Sequence, residues 1–234
     1  MGRRFGLDRP VILAYLGLVG AACRSAPESV LPMGATPIDR DRVVEWVVCT
    51  IPGQRQLHRF KWLFEDERGS AGGRGGARIA PPDSLRFDVA GPFGSGAASA
   101  VVIGDRPVWT EPPDVIARLV PNYPLMWAMF GMAMLPADGV VIRGLARDSI
   151  TAWEYAAAGD TIQYARTGGD PVWFSAEVRR AGELIGRAET TLKPDGSVIK
   201  ARLTVPSVPA RLDLTFLSTA RATFAPDIWL HRIP

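Results

Sequence analysis

Residues 84–104, SLRFDVAGPFGSGAASAVVIG, contain two strand signals on either side of one turn. Apolar and polar residues alternate in the first half, which is typical of a strand with one apolar face. The apolar positions are Leu85, Phe87 and Val89. Gly91-Pro92 marks a turn, and the small residues 97–103 predict a returning strand. Phe93 stands between them, so either the rest of the chain covers it or it meets an apolar surface outside the protein.

The neighbouring segments extend this sheet in both directions. Residues 57–66 carry an aromatic stripe on one face, which predicts a strand. The stripe consists of His58, Phe60, Trp62 and Phe64. Residues 67–76 are rich in Gly and Arg and are interpreted as a flexible loop. Residues 77–80 and 107–110 predict further short strands.

Two central segments have helical character. Residues 113–120 begin with Pro and Asp, which favours a short helix. Residues 123–135 are apolar nearly all round and contain four Met, which predicts a second helix that is buried or contacts lipid. That helix is too short to cross a bilayer. Residues 39–50 fit either a short helix or a first strand.

Short strands at regular spacing follow residue 139, separated by Gly- and Asp-containing turns. They are expected at residues 140–145, 149–156, 161–167, 171–180, 183–192, 197–205 and 210–216. An open sheet of about ten strands must curl. We therefore predict a mainly β (α+β) fold, in which a curved antiparallel sheet forms an incomplete, half-open barrel lidded by two or three helices.

The N-terminus is typical of an exported protein. Three Arg precede a short apolar core at residues 11–19, and small residues then lead to Cys23, so residues 1–22 are interpreted as a signal peptide. Two kinds of processing fit: lipidation of Cys23, or cleavage that leaves Cys23 a free thiol. We favour lipidation, with residues 23–38 as a lipid-anchored tether and residues 39–234 as a single domain.

The cysteines and charges are compatible with export. If Cys23 carries lipid, Cys49 is a lone thiol in an apolar setting, where a buried small side chain is expected. If Cys23 is free, a Cys23–Cys49 disulfide could form in an oxidising compartment. The net charge is +3, of which the first 22 residues supply +2, so the charge does not indicate nucleic-acid binding.

Signs of catalysis are missing from the sequence. It has two His, no H-E-x-x-H motif and no G-x-S-x-G motif. It also lacks the Cys and His ligands of a zinc site. The expectation is therefore a protein that is not an enzyme and needs no cofactor or metal, with His58 packed in the core rather than acting as a base.

Apolar side chains are abundant and fall on one side of the predicted sheet. They either fill an ordinary core or line a ligand cavity enclosed by a curved sheet. The flexible Met side chains favour the cavity. The residues expected to line it are Phe60, Trp62, Phe64, Leu85, Phe87, Val89, Met126, Met129, Phe130 and Met134.

The order of these motifs resembles the LolB and LolA family of outer-membrane lipoprotein receptors and carriers. The family's Arg-Phe-x-Trp strand is matched by residues 59–62, and its Pro-Leu-Gly-Ser turn by residues 92–95, with Phe93 in place of Leu. An apolar helix with a Pro-Leu start resembles residues 123–131, and a late Lys-containing strand resembles residues 198–203. The resemblance implies a half-barrel whose turn, here Pro92, Phe93 and Gly94, enters the membrane.

The function that the resemblance implies is binding of acyl chains or lipoprotein lipid and their transfer to the outer membrane. The partners would be lipid or lipoprotein acyl chains, the outer-membrane bilayer and a periplasmic carrier protein. The protein would be lipid-anchored to the outer membrane and face the periplasm. The alternative is a non-catalytic structural lipoprotein that has the same fold and a filled core and docks to an envelope partner.

Overall fold

The computed structural model describes residues 36–91, 97–147 and 150–231. The predicted signal peptide, Cys23 and the turn residues Pro92, Phe93 and Gly94 lie outside these ranges. Of the predicted tether, only residues 36–38 are described, and they pair with a strand of the sheet.

Thirteen strands form one antiparallel sheet in the described part of the chain. The strands are β1 (Thr36–Pro37), β2 (Gln56–Asp66), β3 (Gly69–Ala80), β4 (Ser84–Ala90), β5 (Ala97–Ile103), β6 (Arg106–Glu111), β7 (Ile142–Arg147), β8 (Ile150–Ala157), β9 (Asp160–Thr167), β10 (Val172–Arg180), β11 (Glu183–Leu192), β12 (Val198–Val205) and β13 (Ala210–Arg221). Their order is β1-β7-β8-β9-β10-β11-β12-β13-β2-β3-β4-β5-β6, so β1 and β6 form the two edges. The sheet is not closed, and the predicted fold class is confirmed.

The helices of the described residues are α1 (Arg40–Val48), α2 (Pro113–Leu119) and α3 (Tyr123–Ala128). Residues 39–50, for which the sequence allowed a helix or a strand, contain α1. Asp39 caps this helix, because its side chain accepts the backbone N–H of Asp41 at 3.1 Å. Val43 and Val47 of α1 are buried. α3 packs on β10 and β11, and α2 on β5 and β6.

The predicted helix 123–135 is less than half as long as expected. It ends at Ala128 because Gly131 adopts a left-handed conformation with φ of 75°, a common helix stop. The chain beyond it is irregular, and side chains satisfy its backbone: Thr50 Oγ1 accepts from Ala133 N at 3.0 Å, and the Tyr164 hydroxyl from Met134 N at 3.2 Å. The apolar run is therefore buried as predicted, although half of it is not helical.

The Gly- and Arg-rich segment 67–76 is a second correction. It is not a loop, because β3 begins at Gly69 and pairs with the whole of β2. The aromatic residues of β2 face small residues of β3 directly, with Phe60 opposite Gly75 and Trp62 opposite Gly73. Glycine is favoured in a strand where another group must approach the backbone closely. At Gly75 that group is the Phe60 ring of β2, and at Gly73 it is the backbone carbonyl of Ala90 in β4.

The C-terminal segment covers the outer face of the sheet near the β6 edge. A 3₁₀ turn at Pro226–Trp229 is fixed by side chains of β4 and β6. Arg86 donates to the carbonyl of Ile228 at 2.6 Å, and Trp109 Nε1 donates to the carbonyl of Trp229 at 3.0 Å. Val101 of β5 lies opposite Trp109 on the same outer face, and the C-terminal segment leaves it fully buried.

Candidate functional site

The ten residues expected to line a cavity lie in two kinds of surroundings. Most belong to the packed core between the sheet and the helices. These buried members are Phe60, Leu85, Phe87, Met126, Met129 and Phe130. Trp62, Phe64 and Val89 border an open cleft; Phe64 and Val89 are also buried members of the core, whereas Trp62 is only half-buried. Met134 is half-buried at the edge of the core.

Four Phe rings fill the middle of the concave face. Phe60 and Phe130 contact each other, and each also contacts Phe87 and Phe216, with ring centroids 5.6–6.5 Å apart. Such separations are typical of stacked and edge-to-face aromatic pairs. We call these rings the Phe cluster. Because it occupies the centre, it divides the concave face into two ends, each with its own hollow.

The larger hollow, which we call the α2 cleft, has a volume of about 750 Å³. Its sheet side is formed by residues of β2, β3, β4 and β5, and its other side by α2. The apolar members of its wall are Trp62, Phe64, Val89, Ala97, Ala98, Val115 and Leu119. The charged members are Asp66, Arg68 and Asp114. A pocket of this size with a mostly apolar wall is typical of a site for a small apolar ligand.

Trp62 forms the floor of this cleft because of a glycine in the next strand. Its Nε1 donates to the carbonyl of Ala90 in β4 at 3.1 Å, so the indole crosses the whole of β3. A Cβ on Gly73, the residue opposite Trp62, would lie 2.0 Å from that same carbonyl oxygen. The glycine thus permits the crossing, and the bond fixes the ring at the cleft.

The sequence analysis did not include the helical wall of the cleft. Val115 is 38% exposed and Leu119 is 6% exposed, and they lie four residues apart on α2. That spacing places both side chains on one face of a helix. The spacing of the two apolar residues within residues 113–119 therefore already indicated this wall.

The described residues on either side of the expected membrane turn line the same cleft. Pro92, Phe93 and Gly94 are outside the described residues, but the residues that flank residues 92–96, Gly91 and Ala97, both line the cleft. The turn that joins β4 to β5 therefore starts and ends at the wall of the cleft.

The smaller hollow, which we call the His58 hollow, has a volume of about 290 Å³ and lies beyond the other side of the Phe cluster. His58 is packed in the core, with an exposed fraction of 3%. Burial lowers the pKa of His58 to about 4, because the charged imidazolium loses its hydration. The ring is therefore neutral near pH 7.

Three further expectations concern metals, spans and thiols. Among the described residues, no group of three or more His, Cys, Asp or Glu is placed to hold a metal ion. In the same ranges no helix is long and apolar enough to cross a membrane. Cys49 was expected to be buried but is exposed, because it caps the C-terminus of α1 one residue beyond the last helical turn.

No family model matches the sequence, and no curated protein matches it. Solved structures match the fold. A domain from Vibrio parahaemolyticus classed as an outer membrane lipoprotein-sorting protein domain is 8% identical, with a TM-score of 0.55; the match covers 82% of this chain and 97% of that domain. A LolA superfamily protein from Nitrosomonas europaea is 6% identical, with a TM-score of 0.41, and the match covers 83% of this chain and 98% of that protein. The expected resemblance to lipoprotein carriers is confirmed as a similarity of fold to the lipoprotein-sorting domain, and the sheet of this chain is not closed.

Proposed function

We propose that this protein binds acyl chains of lipids or lipoproteins in the α2 cleft and helps to transfer them to the outer membrane. The observation that carries the proposal is the apolar, open cleft of about 750 Å³ between α2 and the ends of β2, β3, β4 and β5. Burial of an acyl chain there would contribute roughly 0.8 kcal/mol for each CH₂ removed from water. The similar fold of a lipoprotein-sorting domain supports the same class of ligand.

The arrangement of charges around the cleft also favours an amphiphile. The deep wall is apolar, with Leu119, Val89 and Ala98 at most 6% exposed. Charged groups of the wall come from the β2–β3 hairpin and the first turn of α2, and include Arg68 and Asp114. A lipid would place its chain against the first set and its polar head near the second.

The proposed location completes this function. Lipid on Cys23 would anchor the protein to the outer membrane, facing the periplasm, and residues 23–38 would act as the tether. The β4–β5 turn with Pro92, Phe93 and Gly94 would then bring the cleft to the bilayer. A periplasmic carrier protein would deliver the lipoprotein.

Binding of a fluorescent palmitate analogue to the full chain tests the proposal. Val115→Trp should fill the cleft from α2 and weaken binding at least tenfold, with little loss of stability because Val115 is 38% exposed. Val141→Trp is the matched control: Val141 is 71% exposed and does not line the cleft, so binding should stay unchanged.

The alternative function is a structural lipoprotein that docks to an envelope partner. The observation in its favour is the Phe cluster, which fills the middle of the concave face. Absence of saturable palmitate binding by the wild-type chain, or equal binding by the Val115→Trp variant, would contradict the carrier function and favour this alternative.

A further inference from the structure

The His58 hollow differs from the α2 cleft in shape and chemistry. Its wall combines the α1–β2 connection, the segment that follows α3 and the β11–β12 hairpin with residues of β2, β3, β9 and β13. Apolar groups cover part of the wall: Ile79, Phe130, Leu192 and Val198. A volume of about 290 Å³ lies at the lower limit for ligand sites, which suits a small molecule rather than a long chain.

One buried polar atom in this wall has no partner. His58 Nδ1 lies 3.0 Å from the hydroxyl of Thr219, whereas Nε2 makes no hydrogen bond with any described residue. Leaving a buried ring nitrogen unpaired is unfavourable, because the nitrogen has lost its bond to water and gained no partner. Because the low pKa of His58 keeps the ring neutral, a Thr219 hydroxyl that donates to Nδ1 leaves Nε2 as an N–H donor.

A cation lines the same hollow. Arg166 is half-buried on the inner face of β9, in register with the fully buried Phe174. In the described ranges its guanidinium has no hydrogen bond or ion pair. The carboxylate in the wall, Asp195, is exposed and accepts the backbone N–H of Ser197 at 2.8 Å, so it is held by its own turn.

We propose that the His58 hollow binds a small carboxylate. Arg166 supplies the charge and the planar pair of donors that suit a carboxylate, and His58 Nε2–H donates a further hydrogen bond. The short apolar part of the ligand rests on Phe130 and Leu192. The site is independent of acyl binding, because the Phe cluster separates it from the α2 cleft.

The sequence offers a selective probe for this site, because the chain has only two His. In the full chain, purified in a neutral detergent and labelled with ¹⁵N-histidine, the ring signals of His58 and His231 can be followed separately. Titration with butyrate should move the Nε2 signal of His58 saturably and leave His231 unchanged. Butyramide, which has the same shape without the charge, should bind at least tenfold more weakly.

Two Arg variants supply the structural control. Arg166→Gln should weaken butyrate binding at least tenfold, or about 1.4 kcal/mol. Arg59→Gln changes an exposed Arg of β2 that does not line the hollow, and should leave binding unchanged. Val115→Trp should also leave butyrate binding unchanged, which separates this site from the acyl cleft. No saturable movement of His58, or equal binding of butyramide in the wild-type chain, would overturn the proposal.

Discussion

Gly75 accounts for the close packing of β2 against β3. A Cβ on Gly75 would lie 2.4 Å from the Phe60 ring and 2.8 Å from the carbonyl oxygen of Asp88. Both distances are too short for real contacts, so any side chain there would displace the ring or the β4 backbone. The next residue, Gly76, has only one neighbour within reach, the carbonyl oxygen of His58 at 3.5 Å.

These two glycines allow a matched test of the ring-over-glycine packing. Gly75→Ala should lower the free energy of unfolding by about 1–3 kcal/mol, as overpacked cores do. Gly76→Ala should leave it unchanged or raise it by about 0.5 kcal/mol, because the new side chain restricts the unfolded state. Urea unfolding of both variants measures the difference, and equal effects would contradict this explanation.

The burial of His58 predicts how stability depends on pH. Its pKa is about 4 in the folded state and 6.5 when exposed, so the unfolded state binds the proton first as the pH falls. The contribution of His58 to stability is therefore constant above pH 6.5, decreases between pH 6.5 and 4, and levels off below. The full decrease is about 3 kcal/mol.

Chemical unfolding of the wild type and two His variants isolates this contribution. The measurements run from about pH 7.5 to about pH 4, the range that these pKa values set. His58→Gln should remove the decrease assigned to the ring, so the difference in unfolding free energy from wild type changes with pH. His231→Gln alters an exposed residue and should follow the wild-type profile. A His58→Gln profile parallel to that of the wild type would refute the assignment.

At the scale of elements, a row of polar side chains joins five strands on the convex face. Each pair in the row is directly opposite in register. The row runs through Arg143, Glu154, Gln163, Glu177 and Arg187. Gln163 Nε2 donates to Glu154 at 2.6 Å, and Arg143 forms an ion pair with the same carboxylate. Opposite charges in facing positions stabilise neighbouring strands.

Glu177 is the most buried charge of this row, and its removal should weaken the β10–β11 pair. The side chain is fully buried and forms ion pairs with Arg179 at 3.1 Å and with Arg187. Glu177→Gln should cost about 3 kcal/mol, because two guanidinium groups then face a neutral amide. Glu183→Gln, an exposed carboxylate on β11, should cost less than about 0.5 kcal/mol. Thermal unfolding that ranks the two variants equally would argue against a stabilising row.

At the scale of the whole molecule, the cleft, α2 and the ends of β4 and β5 that flank residues 92–96 lie at one end of the half-open sheet. This placement predicts that Phe93 acts at the membrane rather than in the core. In the full chain, Phe93→Glu should change the urea midpoint little and should strongly slow the transfer of a fluorescent acyl probe to liposomes. A Glu placed nearby in β5, as in Ser99→Glu, is not a suitable control for the added charge. It would also remove the hydrogen bond that Ser99 donates to Asp88 at 2.8 Å.

Phe93→Leu is therefore the matched control for that prediction, because it keeps an apolar side chain and should retain transfer. A partly unfolded Phe93→Glu protein would place the ring in the core, because a carboxylate is costly in an apolar site. Unchanged transfer by a stable Phe93→Glu protein would exclude a membrane role for the turn.

The sequence by itself determined most of the strands and which face of each is apolar. Residues 183–192 were predicted with the bounds of β11, since period-2 alternation is a local property of the chain. The short α3 and the strand β3 could not be predicted in the same way. Gly131 ends the helix where Leu192 leaves no room for a Cβ. In β3, the Phe60 ring leaves no room for a Cβ on Gly75, and the carbonyl of Ala90 leaves none on Gly73.

The site depended more strongly on tertiary structure. The sequence identified ten apolar residues of one face but could not separate those that fill the core from those that border a cleft. That division arises because the rings of the Phe cluster meet at the centre of the concave face. The rings come from β2, β4, β13 and the segment that follows α3. Alternation along a strand determines which side chains point inward. Only the curvature of the sheet and the position of the helices determine where those side chains meet and where they leave space.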